Sequence, residues 1–271
     1  LVREQLLAFL FGASAPLDAF QVAVLVPKNF YDLLIGGHVN GAIVPVLSEI
    51  VTLEGRDAMW RVVSILVTLL TLFISALVLL IELFAPQFVQ LAADGYDAET
   101  ILLATQLLRI TAPALLFLGL FAVLSGTLYA LNIFSWPALA GAVFNGTIVV
   151  VTLLLVPPLE WQLVPQQSLM QPLTLGRPPD AAQAAAFGWL FGAIVQMALQ
   201  MPGLRGSKLR ISLDWRHPAL KRIGTLYIPV MASLILDIVV IRFFSYKLAS
   251  RTGIEGGIYI MNLATTLLQF P

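Results

Sequence analysis

The chain has no cysteine in 271 residues, and only 11% of it is charged. The first absence excludes disulfides, thiolate catalysis and cysteine-bound metals, and it leaves the redox compartment unreadable. The second excludes an ordinary aqueous fold: soluble domains carry roughly 25% charged residues and roughly 45–50% apolar ones, whereas hydrophobic residues here reach 59%. The formal net charge is zero, so nothing points to nucleic acid. Also missing are G-x-x-x-x-G-K-[ST], H-E-x-x-H, G-x-S-x-G and a dinucleotide fingerprint, which leaves nucleotide hydrolysis and covalent catalysis without a carrier. His38 and His217 are isolated, so one is expected to pack at a helix break and the other to sit at an interface. No metal and no cofactor is expected. What remains is a polytopic membrane protein that is not an enzyme.

The stretch from Asp18 to Glu49 is apolar enough for a membrane yet carries Asp18, Lys28 and Asp32. A charge at bilayer depth costs a few kcal/mol unless it meets a partner or a cavity, so such a segment is read as functional. At about 100° per residue, Asp18, Gln21, Lys28, Asn29 and Asp32 share one side of a helix. Pro27 and Gly36-Gly37 are expected to bend or break that helix near mid-depth, as in transporters. The plainer reading is that Lys28 and Asp32, four apart, only neutralise each other.

Taken in order, the apolar runs predict eight spans. Leu1 to Phe11 is the tail of the first; about eleven residues cover roughly 16 Å, short of a bilayer core of roughly 30 Å, so the chain is expected to be a fragment. The broken second span reaches about Val51, and a charged link holding Glu54, Arg56, Asp57 and Arg61 leads to a third from Val62 to Phe84. An acidic link, Ala85 to Glu99, precedes a fourth span from Thr100 to Leu131 with a kink at Pro113. After a turn at Asn132 to Trp136 the fifth span starts near Pro137 and ends at Pro157-Pro158. A Pro- and Gln-rich external loop then runs to Pro179. Ala181 to Met201 is the sixth span, and its Gly188 and Gly192 are read as helix packing. The seventh runs from Ile223 to Ala249 through Pro229, Asp237 and Arg242, and Gly256 opens the eighth. The links after the second and sixth spans carry eight Lys and Arg, which places them, and the N-terminus, in the cytoplasm.

Several stretches are familiar together. FGASAPLDAFQVAVLVP and GGHVNGAIVPVLSE resemble the early signature of the MurJ/MviN family of lipid II flippases. QLLRITAP, GTLYALNIFSWPALA with Asn145 beyond it, FGWLFGAIVQMALQMPGLR and IMNLATTLLQFP follow in that family's order. The resemblance implies an all-α, polytopic transmembrane helix bundle of the multidrug/oligosaccharidyl-lipid/polysaccharide exporter type. Residues 1–202 would form the first lobe of about six helices, 203–222 a basic cytoplasmic link, and 223–271 the start of the second lobe.

The resemblance further implies a monomer in the bacterial cytoplasmic membrane. It would move a polyprenyl-diphosphate-linked peptidoglycan precursor, lipid II, from the inner to the outer leaflet by alternating access. Its partners would be the lipid bilayer and the lipid-linked saccharide, with no nucleic acid. Arg3, Glu4 and Asp18 match family cavity positions; with Lys28, Asp32, Asn40, Asp237, Arg242 and Asn262 they form the candidate substrate cavity. Where the family carries arginine, this chain has Tyr31 with Asp32, and Thr266. Two other readings stay open: an exporter of another lipid-linked saccharide or amphiphile, and a non-transporting scaffold on a degenerated flippase fold.

Overall fold

Residues 2–34, 38–156, 181–226, 243–254 and 256–268 are described by the structure, a computed structural model. The expected external loop up to Pro179 and most of the seventh span, with Asp237 and Arg242, lie outside them. Every secondary-structure element among the described residues is helical, including a 3-10 turn at Met201–Leu204 and helical residues 218–226 besides the α-helices labelled below. In chain order these are α1 (Val2–Phe11), α2 (Ala15–Leu34), α3 (His38–Leu53), α4 (Arg56–Leu83), α5 (Ala85–Ala92), α6 (Ala98–Thr111), α7 (Ala114–Ala130), α8 (Ser135–Leu155), α9 (Ala182–Ala198), α10 (Phe243–Ser250) and α11 (Gly257–Leu268).

The turns have local causes. Gly12, at φ 66, ends α1, and Gly55, at φ 90 and ψ 174, joins α3 to α4 in a conformation that side chains rarely adopt. The charged residues Arg56 to Arg61, expected in a link, are instead wound into the first turns of α4. Helix formation there needs no apolar residue once Gly55 has turned the chain. A second correction falls between Ala85 and Glu99, where the structure has the short helix α5. Pro86 suits its first turn, and Ala85, Val89 and Ala92 bury one face. Charge counting reads the acids that follow and misses that face. Asp97 then caps α6, its carboxylate accepting from the N–H groups of Glu99 and Thr100 at 3.1 and 3.3 Å.

The two proline sites answer each other. α2 stays helical across Pro27 as far as Leu34, and the break expected at Gly36-Gly37 lies outside the described residues, whereas Pro113 separates α6 from α7 as expected. Pro27 has no N–H for the carbonyl of Ala23 one turn earlier. The hydroxyl of Thr111, two residues before Pro113, donates to that carbonyl at 3.1 Å.

Among the described residues, 56–83, 98–130, 135–155 and 182–204 are each long and apolar enough to cross a membrane. Only 17% of the most apolar window of α8 and 28% of that of α4 is buried, against 61% for the run through α6 and α7. So α4 and α8 turn Leu72, Phe73, Leu79, Val150, Leu153 and Leu154 outward, a surface that suits lipid. α7, apolar all round, is the core helix. α9 packs on α8 through its two glycines: a Cβ at Gly188 would lie 3.0 Å from the Ile148 carbonyl, and one at Gly192 3.1 Å from that of Phe144. The packing reading of that pair therefore holds.

The inter-helix turns gather at two ends of the bundle. At one end Lys208 pairs with Asp57 and Arg222 with Glu49, which brings together the two basic links expected on one side of the membrane. At the other end meet the turns α1–α2, α5–α6 and α10–α11. Gly256, at φ 74, lies so close to Ala13 that a Cβ would come within 2.6 Å of its backbone. Gly95 approaches the Ser250 carbonyl more closely still.

Candidate functional site

α2 presents Phe20, Gln21, Val24 and Lys28, spaced one, three and four residues apart, along one face. That face, with Arg3, Glu4 and Leu7 of α1, Trp189 of α9, Tyr246 of α10 and Asn262 of α11, lines a half-open cavity of about 170 Å³. Of the nine candidate residues, Arg3, Glu4, Lys28 and Asn262 line it.

The polar groups are held by one another. Arg3 is paired with its neighbour Glu4, Nε donating to Oε1 at 3.0 Å, and its guanidinium lies 5.8 Å from the centre of the Trp189 ring. That ring stands edge-on to Phe144, 5.0 Å between centroids. Trp189 is 6% exposed, and its indole N–H is buried without a hydrogen-bond acceptor among the described residues. Lys28 donates to Asp32 at 2.5 Å. Asn262 donates through its amide to Tyr246 Oη at 2.5 Å and to Gln21 Oε1 at 3.4 Å, a bridge between α2, α10 and α11. The cavity thus combines two cations, two carboxylates close by, amide and phenol groups, and one aromatic platform. Such a lining can hold a polar, partly anionic group in an otherwise apolar bundle.

The remaining candidates fall elsewhere. Asp18 is fully buried and is not among the cavity-lining residues. Its carboxylate accepts from Tyr96 Oη at 2.5 Å and from the backbone N–H of Tyr259 at 2.9 Å. Tyr259 lies in the first turn of α11, whose N–H groups have no partner within the helix, so Asp18 caps α11 from α2. The polar stripe therefore splits: Gln21 and Lys28 reach the cavity, while Asp18 and Asn29 are buried in packing. Asp32 acts through Lys28. Tyr31 packs against the hydrophobic core. Asn40 begins the third residue of α3, and its side chain, like that of Thr266, lies outside the described residues, as do Asp237 and Arg242.

Beside the Asp18 contacts, Asp94 accepts from Arg251 through both carboxylate oxygens, at 3.0 and 2.8 Å, and from Lys247 at 3.2 Å. The Arg251 hydrogen bonds, with Lys247 adding to them, hold its carboxyl well below the usual range, at about 2. Gly95 N–H donates to Ser250 Oγ at 3.2 Å. The sequence reading missed Trp189, Tyr246, Tyr96 and Tyr259. No spacing rule marks them, because each acts across helices distant in the chain; the run of glycines around Trp189 was the one available signal.

Several apolar helices long enough to cross a membrane, packed beside a charged cavity, define a multi-pass membrane protein. A family model described as Lipid II flippase MurJ matches residues 7–271. The chain is 30% identical over 284 residues to a lipid II flippase MurJ of Burkholderia cenocepacia, covering 100% of this chain and 50% of that protein. It is 35% identical over 154 residues to a lipid II flippase MurJ of Thermosipho africanus, covering 57% and 32%. A solved lipid II flippase MurJ in an inward closed conformation superposes with a TM-score of 0.75 at 24% identity, over 98% of this chain and 51% of that one; this likeness carries the fold. The chain belongs to the MurJ lipid II flippase family, and it spans about half the length of the curated relatives it matches.

Proposed function

We propose that the complete protein carries a lipid-linked diphosphate saccharide, the peptidoglycan precursor lipid II, from the inner to the outer leaflet of the bacterial cytoplasmic membrane by alternating access. The observation that carries this reading is the cavity itself: Arg3 and Lys28, on different helices, face one half-open cavity with Trp189 and Asn262. Guanidinium and ammonium groups suit a diphosphate, and an aromatic ring with amides suits sugar. Asp18 and Asp94 would hold the opposite end closed while the basic end admits substrate. The work is binding and reorientation; no bond is made or broken. The complete protein should rescue a bacterium depleted of its own flippase, and Arg3→Ala should abolish rescue at unchanged expression. Growth undiminished by Arg3→Ala would remove Arg3 from the site.

One observation favours the reading as an exporter of another amphiphile. Each cavity cation already has a carboxylate partner, which leaves little net positive charge for a diphosphate. Under the flippase reading Lys28→Ala impairs transport, and Lys28→Arg with Asp32→Asn tightens diphosphate binding. If Lys28→Ala lowers thermal stability alone, the pair is structural and the second reading gains.

A further inference from the structure

From Val62 to Ile81 α4 holds no charged residue; that run covers about 30 Å, the thickness of a bilayer's hydrocarbon core. Arg61 marks its start. Residues 207–214 form no helix and lie along this start: the N–H of Arg210 donates to Ser64 Oγ at 3.0 Å, and that of Ser212 to Thr68 Oγ1 at 3.1 Å. The match is metric, because two extended residues advance about 6.6 Å and four helical residues about 6 Å. Both hydroxyls also donate back into α4, to the carbonyls of Trp60 and Ser64, so each donates one bond and accepts one. The segment thereby runs from the level of Arg61, where headgroups give way to acyl chains, to about 10 Å inside the apolar stretch of α4.

Its side chains suit that depth. Ile211 is 90% exposed, Leu213 60% and Trp215 69%, alternating with polar residues, and Arg216 lies 5.2 Å from the Trp215 ring. Tryptophan beside arginine is an interfacial pairing. Between this segment and α4 opens a pocket of about 360 Å³ lined by Arg61, Lys208 and Arg210, with Ser64, Asp57 and Ile211 among its other walls. Asp57 is its one carboxylate, and Lys208 occupies both of its oxygens, at 2.7 and 2.9 Å. Arg61 and Arg210 have no ion pair among the described residues.

We propose that this pocket seats the phosphate of an anionic phospholipid in the leaflet on the basic side of the membrane, with Ile211, Leu213 and Trp215 against its acyl chains. Two unpaired guanidiniums supply charge-assisted hydrogen bonds. The apolar rim is what separates a lipid from a dissolved anion, since free phosphate would leave Ile211, Leu213 and Trp215 uncovered.

The test uses the complete protein in nanodiscs of phosphatidylcholine with a minority of phosphatidylglycerol. Two signals are read: the ratio of the two lipids retained after delipidation, by mass spectrometry, and quenching by brominated phosphatidylglycerol that is lost in Trp215→Phe. Phosphatidylglycerol should be retained preferentially, and Arg61→Gln with Arg210→Gln should cut the preference roughly ten- to thirtyfold. Asp57→Asn, which releases Lys208, should raise it. Unchanged preference in both variants, equal quenching by brominated phosphatidylcholine, or displacement of the lipid by millimolar inorganic phosphate would each overturn the proposal. Should the double variant fail to fold, the Asp57→Asn and Trp215→Phe readings still decide.

Discussion

Replacing Thr111 by valine keeps the shape of a fully buried side chain and removes one hydroxyl. The hydroxyl donates to the Ala23 carbonyl at 3.1 Å, sharing its proton with the Leu108 carbonyl at 3.2 Å; the Ala23 carbonyl is the acceptor that Pro27 leaves without its intrahelical N–H. An unpaired buried carbonyl costs about 1–3 kcal/mol, and hydrogen bonds between membrane helices have measured nearer 0.6. Thr111→Val should therefore destabilise by about 1 kcal/mol, a loss of roughly 2–4 °C in midpoint. Pro27→Ala supplies an N–H to the same carbonyl, so in that background Thr111→Val should cost much less. The assay is the thermal midpoint in detergent of the parent, both single variants and the double variant. Effects that simply add, within about 0.5 kcal/mol, would show that the hydroxyl does not serve the carbonyl freed by Pro27.

Because pairing depresses the Asp94 carboxyl to about 2, its contribution is complete above the ordinary carboxylate value and is lost as pH falls through about 2. The stability difference between the parent and Asp94→Asn should be flat from pH 5 to 8 and should shrink below about pH 4; a difference that grows on acidification would contradict the pairing. For orientation, Ser207→Cys should resist an impermeant thiol reagent added outside cells while Glu99→Cys reacts, and the reverse pattern would invert the topology. Gly256→Ala meets both a positive φ and the backbone of Ala13, so it should lose several degrees of thermal stability, whereas Gly206→Ala, at φ 83 in open space, should lose only the backbone strain.

Apolar runs located the membrane-crossing helices well, because a bilayer imposes length and composition on every helix that spans it. They located α5 badly, since eight residues with one buried face look like a link once acids follow. Helical periodicity gathered Asp18, Gln21, Lys28 and Asn29 on one side of α2, yet periodicity gives a direction and not a neighbour. Asp18 points to Tyr96 and to the first turn of α11, contacts that depend on residues 78 and 241 positions away. Arg3, Glu4 and Lys28 could be picked out because charge inside an apolar run is conspicuous. Trp189 could not, because an aromatic residue in an apolar run looks like packing until the cavity beside it is seen.

Each cation of the cavity is neutralised from its own helix: Arg3 by the next residue of α1, Lys28 by a residue one turn on in α2. Separating opposite charges in a medium of low dielectric is among the costliest motions a protein can make. A bundle that cross-linked α1 to α2 through such charges would resist any relative displacement of the two. Here the counter-charge travels with its partner, so α1 and α2 can shift against each other, or a ligand can slip between them, with no ion pair among the described residues stretched on the way.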